Sequence, residues 1–221
     1  MSRIEILTIG DELVDGRLVD SNSGWMSECL GRAGLEVARH TSVRDDRAEL
    51  VAALVEVAGR SHATLVSGGL GPTSDDLTAE CAAAAFGRPI VRVPEALEHA
   101  RAFFAARGRD MPEANAKQAD LPEGAAILAN PVGTAVGFRL DHGGCRLYFM
   151  PGVPHEMERM VEHEVLPDLA ARVTAEPPLV ATLKVFGLGE SDVAQRLEGS
   201  GSLVPAAGRL MIQYRATFPE I

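Results

Sequence analysis

The chain has 221 residues, 46% apolar and 24% charged, a composition that excludes a disordered or collagen-like chain and fits one sizeable domain with room for a small companion. No stretch approaches the roughly 20 apolar residues of a membrane-spanning helix, and Arg3 and Glu5 interrupt the first apolar segment, so no secretory signal is expected and the chain reads as cytoplasmic. Thirty-one acids against 21 bases leave a net charge of −10, which argues against nucleic acid and anionic membrane as partners and leaves small molecules.

Residues 3–9 are a short apolar run rich in β-branched side chains and predict a strand. Asp20 and Ser21 offer an N-cap to a helix that Gly34 would end. A second strand is expected over 35–43, then a helix over 47–60 with Leu50, Leu54 and Val57 on one face. A third strand over 62–67 enters a glycine-rich turn, and an alanine-rich helix over 77–86 stops at Gly87. Three strand–loop–helix repeats predict a mostly parallel sheet with helices on both faces. The pattern then loosens into helices over 94–107 and 112–119 and short strands over 125–128, 136–140 and 146–150. Their spacing suggests a hairpin at the sheet edge, and a last long helix follows from 154 to about 173. Pro177 and Pro178 mark a boundary. Beyond it a strand over 179–186, a helix opening near Glu190, a Gly/Ser/Pro linker and a strand near 210–215 are too few to bury a core alone. The expected organisation is an α/β domain over 1–174 and a partial small α+β domain over 175–221. Cys29, Cys81 and Cys145 show no Cys-x-x-Cys spacing and read as small buried apolar residues.

Four segments carry the candidate chemistry. Ser67-Gly-Gly-Leu-Gly-Pro-Thr-Ser-Asp-Asp-Leu-Thr78 lies between a strand and a helix. Its glycines let the backbone approach a ligand, and the helix start presents unpaired N–H groups to an anion. It is neither a phosphate loop ending in Gly-Lys-Ser/Thr nor a Gly-x-Gly-x-x-Gly fingerprint. Asp75 and Asp76 suggest a divalent cation bridging protein and phosphate; plain helix capping is the alternative. Gly10-Asp-Glu-Leu-Val-Asp-Gly-Arg-Leu-Val-Asp-Ser-Asn22 follows the first strand and Arg44-Asp45-Asp46 the second. Both fall at the carboxyl edge of an open α/β sheet, where ligands bind; again a solvated turn and helix caps are the alternative. Met150-Pro-Gly-Val-Pro-His-Glu-Met157 is a rigid turn into the last helix, another place for an anion. Position 159 is Arg, so His155-Glu156 does not continue into a zinc-protease pattern.

Taken together, Ile9-Gly-Asp-Glu-Leu, Asp20-Ser-Asn22, Gly68-Gly-Leu-Gly-Pro-Thr-x-Asp-Asp-Leu-Thr78, Asn130-Pro-Val-Gly-Thr134 and Pro151-Gly-Val-Pro-His-Glu-Met157 resemble the competence/damage-inducible CinA family. Phe186-Gly-Leu-Gly-Glu-Ser191 and Tyr214-Arg-Ala-Thr-Phe-Pro-Glu-Ile221 resemble the segment that follows in that family. The resemblance implies a three-layer α/β/α sandwich like the molybdopterin-binding domains of molybdenum-cofactor biosynthesis, with a small α+β segment after it. It also implies metal-dependent hydrolysis of the pyrophosphate in ADP-ribose or a related dinucleotide; in the cofactor-biosynthesis relatives the same crevice holds molybdopterin or its adenylylated form, and the aspartate at the position of Asp76 is functionally important. Nothing resembles the family's nicotinamide-nucleotide amidohydrolase domain. On this reading Asp75 and Asp76 hold a divalent ion of magnesium or cobalt type, with a monovalent cation as a further candidate. Asp76, Asp46 and Glu12 are the catalytic candidates. Gly68, Gly69, Gly71, Pro72, Thr73, Asp20, Asn22, Arg44, Lys117, Gly152 and Pro154 are the candidates to line the substrate site. Two other functions stay open: a non-catalytic pterin- or nucleotide-binding module, and an oligomerisation platform. A homo-oligomer is expected.

Overall fold

In a computed structural model the structure describes residues 3–173, 176–199 and 212–214. The chain divides into two compact units, Met1–Pro178 and Leu179–Ile221.

The first unit is built on a six-stranded sheet. Its strands are β1 (Ile4–Ile9), β2 (Val37–Val43), β3 (Ala63–Ser67), β6 (Ala126–Leu128), β7 (Gly137–His142) and β8 (Cys145–Met150), in the order β2-β1-β3-β8-β7-β6. The neighbours β2, β1, β3 and β8 are parallel, and β7 runs against both β8 and β6. The expected edge hairpin is therefore β7–β8, although β8 itself is central. Gly143 and Gly144 make its two-residue turn, both at positive φ, the geometry whose twist matches flanking strands. A separate antiparallel ribbon, β4 (Ile90–Arg92) with β5 (Asp120–Pro122), was not expected; three-residue strands leave too little periodicity to read.

Helices cover both faces, because β1, β3 and β8 are buried on both. In β1, Ile4 and Ile6 face one core with Met26 and Leu30 of α2 (Ser21–Arg32). That core also holds Met157 and Met160 of α6 (Pro154–Met160) and Leu169 of α7 (Leu166–Ala170). Leu7 and Ile9 face the other core, with Leu50, Leu54 and Val57 of α3 (Arg47–Arg60), Cys81 and Ala82 of α4 (Thr78–Ala85) and Ala96 of α5 (Pro94–Ala105). Phe138 and Phe149 stack within it, ring centroids 4.4 Å apart. The one charge in β1, Glu5, is 0% exposed and is neutralised by Arg60 of α3 at 2.8 Å. A four-residue helix, α1 (Asp11–Val14), follows β1, and a 3-10 helix spans Glu113–Ala119.

Three expectations are corrected. The last long helix is interrupted by a π turn over Val161–Val165 and ends at Ala170. Pro167 lacks the N–H that would continue the α ladder. The aspartates before α4 do not cap it: the N-cap is Leu77, without a side-chain bond. The strand expected over 179–186 is irregular chain with an isolated bridge at Phe186. Leu179, Val180, Leu183 and Phe186 are exposed there, and apolar alternation makes a strand only where a neighbour supplies a ladder. In the second unit α8 (Glu190–Gly199) is the described helix. The linker and most of the strand expected near 210–215 lie outside the described residues, and 212–214 carry no regular element.

Candidate functional site

The carboxyl ends of β1, β2, β3 and β8 lie side by side, so the loops that leave them meet. Gly10 N donates to Val43 O at 3.0 Å, and Asp11 N donates to Asp45 Oδ2 at 3.0 Å. Asn22 Nδ2 donates to Ser67 Oγ at 3.2 Å and to Gly152 O at 2.9 Å, tying the first loop to β3 and to the turn before α6. A Cβ on Gly152 would lie 3.4 Å from Gly68 Cα. The four segments singled out in the sequence thus share one edge.

The glycine loop is held by its carbonyls. Thr78 Oγ1 donates to Gly68 O at 2.8 Å and Thr78 N to Gly69 O at 3.2 Å. Gln118 Nε2 donates to Leu70 O at 3.3 Å, and Lys117 Nζ to Thr73 O at 2.8 Å. Gly68 N is spent on Met150 O. Among the described residues, no hydrogen bond uses the N–H of Gly69, Leu70 or Gly71. Gly68 and Gly69 take φ of 118° and 65°, which turns the peptide groups this way and which a Cβ would penalise. Beside the loop, Gly69, Gly71, Asp76, Lys117 and Gln118 border a hollow of about 20 Å³, room for about one water.

The candidate acids divide by what they already do. Asp76 accepts from Thr73 N at 2.9 Å and from its hydroxyl, closing the Gly-Pro-Thr turn that contains Pro72. Asp46 caps α3 through Ala48 N and Glu49 N, and Asp20 caps α2 through Ser23 N while accepting from Thr8 Oγ1. Arg44 is paired with Asp15 at 2.6 Å and with Asp11 at 3.5 Å, so its charge is taken up within the first loop. Glu12 is exposed, and Pro154 opens α6. Asp45 is the unusual carboxyl. Burial pushes its pKa up, and the charges of Asp11, Glu12 and Asp75 push the same way against the bond from Asp11 N. Hydrogen bonding within its own turn holds the Asp75 carboxyl below its ordinary value, with help from the Lys117 charge. Among the described residues no three His, Cys, Asp or Glu side chains gather as a metal cage.

Asn130, Gly133 and Glu156 lie in motifs that carry the family resemblance but outside the candidate site residues, and they form a second set at the same edge. Asn130 Nδ2 donates to Ala135 O and to Glu156 Oε2, both at 2.7 Å, and His99 Nε2 bonds Gly133 O at 2.9 Å. Gly133 packs so closely on Glu156 that a Cβ there would overlap the carboxylate. Only the fold brings Asn130-Pro-Val-Gly-Thr134 to Glu156.

Residues 5–171 match the family described as "Probable molybdopterin binding domain". A CinA-like protein of Citrifermentans bemidjiense is 45% identical over 219 residues, covering 99% of this chain and 52% of its own length. One from Escherichia coli is 41% identical over 222 residues, 100% and 54%. The chain thus spans about half the length of these curated relatives. The crystal structure of CinA from Thermoplasma acidophilum, a protein of unknown function, superposes with a TM-score of 0.67 at 33% identity, covering 73% of this chain and 94% of that one. The molybdopterin biosynthesis enzyme MoaB of Thermus thermophilus follows with a TM-score of 0.51 at 25% identity, covering 76% and 92%. Among the described residues no helix is long and apolar enough to cross a membrane.

Proposed function

The chain belongs to the probable molybdopterin binding domain family and, within it, to the CinA-like proteins; on that premise we propose that it binds a phosphorylated small molecule of the pterin or nucleotide kind at the glycine-loop edge. The observation that carries this is the division of the loop's polar groups. The carbonyls of Gly68, Gly69, Leu70 and Thr73 are bonded inward, while the N–H groups of Gly69, Leu70 and Gly71 are left without a protein partner. Successive free N–H groups beside a helix start form an anion nest. A protein of net charge −10 gains from this arrangement, because it attracts phosphate with backbone dipoles instead of side-chain cations. Backbone donors also hold their positions without a long side chain having to be ordered on binding.

Metal-dependent hydrolysis of a pyrophosphate such as that of ADP-ribose is the second reading. It is favoured by the Asp45 carboxylate, on which the charges of Asp11, Glu12 and Asp75 act. Asp75, with Asp76 if its bond to Thr73 opens, would hold a divalent ion only together with oxygens of the ligand, as hard cations at phosphate sites commonly are held. Such an ion would neutralise phosphoryl charge and acidify a bound water.

Calorimetric titration with GMP and with guanosine tests the first reading. The phosphate is expected to improve affinity at least tenfold, and equal affinities would refute the nest. Incubation with ADP-ribose and a panel of divalent cations tests the second, with Asp76→Asn as the comparison. Asn keeps an acceptor for Thr73 and removes the charge, so turnover should fall while the melting temperature moves little. Undiminished turnover in that variant would remove Asp76 from the chemistry. Neither binding nor turnover would leave the oligomerisation platform.

A further inference from the structure

The run from Gly152 to Glu156 lies along the carboxyl edge beside the nest. Gly152 packs against Gly68, Val153 is exposed, and Glu156 is half-buried in the first turn of α6. Glu156 is four positions after Gly152, so its backbone lies no more than about 14 Å from Gly152 at about 3.5 Å per residue. β6 runs in the direction of β8, since both are antiparallel to β7; the segment after Leu128 therefore leaves at this same edge and delivers Asn130 to Glu156.

Asn130 is 1% exposed, and its Oδ1 has no hydrogen-bond partner. A buried acceptor left unpaired is costly. The amide cannot be turned over to relieve it, because its oxygen would then face Ala135 O and the Glu156 carboxylate, both acceptors. The orphaned oxygen is thus the consequence of directing Nδ2 at Glu156. Gly133, held by His99 and with no room for a side chain, closes on the same carboxylate. Three elements therefore fix one carboxylate at the rim of the site. Oε2 accepts from Asn130, Oε1 has no hydrogen bond from the described residues, and an ionised carboxylate accepts several donors.

We propose that Glu156, oriented by the positioning residue Asn130, accepts a pair of adjacent O–H or N–H donors from the end of the ligand opposite its phosphate. This rests on the nest reading above. Two chemical groups present such a pair: the vicinal diol of a ribose, and the N–H/NH₂ edge of a 2-amino-4-oxo ring such as guanine. Both match the parallel acceptor oxygens of a carboxylate.

The test is a double-mutant cycle in solution. GMP, IMP (no 2-amino group), dGMP (no 2′-hydroxyl) and inorganic phosphate are titrated into the wild-type chain, Glu156→Gln and Asn130→Ala, each checked for its melting temperature. In the wild type, loss of the 2-amino group or of the 2′-hydroxyl should weaken binding about tenfold, the scale of one charge-assisted hydrogen bond; which deletion does so identifies the source of the pair. In Glu156→Gln, which can present N–H groups to the ligand, GMP should bind no better than the deleted probe. Asn130→Ala should flatten the same ratio with Glu156 intact, a change in selectivity that a purely structural asparagine would not produce. Glu156→Gln keeps size and shape, so the cycle stands if Asn130→Ala does not fold. Phosphate-dependent binding of GMP with a ratio near one in the wild type, or a tenfold ratio that survives in Glu156→Gln, overturns this proposal alone. Failure of every phosphate-bearing probe to bind overturns it together with the nest.

Discussion

Replacing Gly69 by alanine isolates the geometry on which the nest depends. Gly69 sits at φ 65°, where an L-residue costs about 1–2 kcal/mol. A Cβ there would also overlap the Thr78 hydroxyl, which is buried and bonded to Gly68 O at 2.8 Å. Relieving such overlap in a packed site costs about 1–3 kcal/mol more. Gly87 is the internal control: its φ is 63°, and nothing lies within 4 Å of a Cβ built on it. Gly87→Ala should therefore incur only the conformational cost, and the common effect of alanine on the unfolded chain cancels between the two. Urea unfolding should place Gly69→Ala below Gly87→Ala by about 1–3 kcal/mol, with unchanged m-values, and GMP binding should be lost in Gly69→Ala only. Equal midpoints for the two variants would show that the loop yields freely, and the argument from a fixed backbone nest would fail.

Asp45→Asn should raise the melting temperature at pH 7, because burial and the neighbouring acids disfavour its charged form. The gain should vanish as pH falls below about 4, the unfolded-state value, where the wild-type carboxyl is neutral too; a loss of stability at pH 7 would contradict the charge account. Asp168 joins Arg146 at 2.7 Å and the Tyr148 hydroxyl at 2.6 Å. Burial works to raise its pKa, but these bonds prevail and hold it low. Its stabilisation is therefore full above about pH 4 and lost as pH falls through the lowered native value. Asp168→Asn should cost about 2–3 kcal/mol at pH 7 and flatten the acid limb of the stability profile, which circular dichroism against pH would read; an unaltered limb would discount the network. Burial raises the pKa of Cys29, Cys81 and Cys145, so an aromatic disulfide reagent at pH 8 should label them only as the chain unfolds. Rapid labelling of the native protein would contradict their burial.

The elements that could be read directly from the residues were those whose signals are local. The helix over Arg47–Arg60 has its cap at Asp46 and its apolar face at Leu50, Leu54 and Val57. β1, β2 and β3 each precede a helix, and that alternation alone implied parallel pairing. Convergence of the loops followed from the same rule, and the bonds of Asn22 and Asp11 across them bear it out. The ribbon of β4 and β5 could not be read this way, since its partners lie some 30 residues apart and each is three residues long. The extended apolar stretch after Pro178 met the converse limit: its alternation is visible, but pairing requires a neighbour that its own sequence does not specify.

The site divides along the same line. Residue type and spacing determined by themselves that a glycine loop would face a helix start and that aspartates would crowd the edge. Tertiary structure alone decided which way the polar groups point. Asp46 and Asp20 are absorbed as caps, Arg44 is paired with Asp15, and Asp76 is turned back on Thr73. The loop carbonyls are bonded by Thr78, Gln118 and Lys117, leaving the N–H groups of Gly69, Leu70 and Gly71 without a protein partner. Asn130 and Glu156, 26 residues apart, become partners only once β7 and β8 fold back between them. A side chain's chemistry is set by its covalent structure, but the direction in which it is spent depends on which donors and acceptors the fold brings within about 3 Å of it, and those partners come from distant parts of the chain.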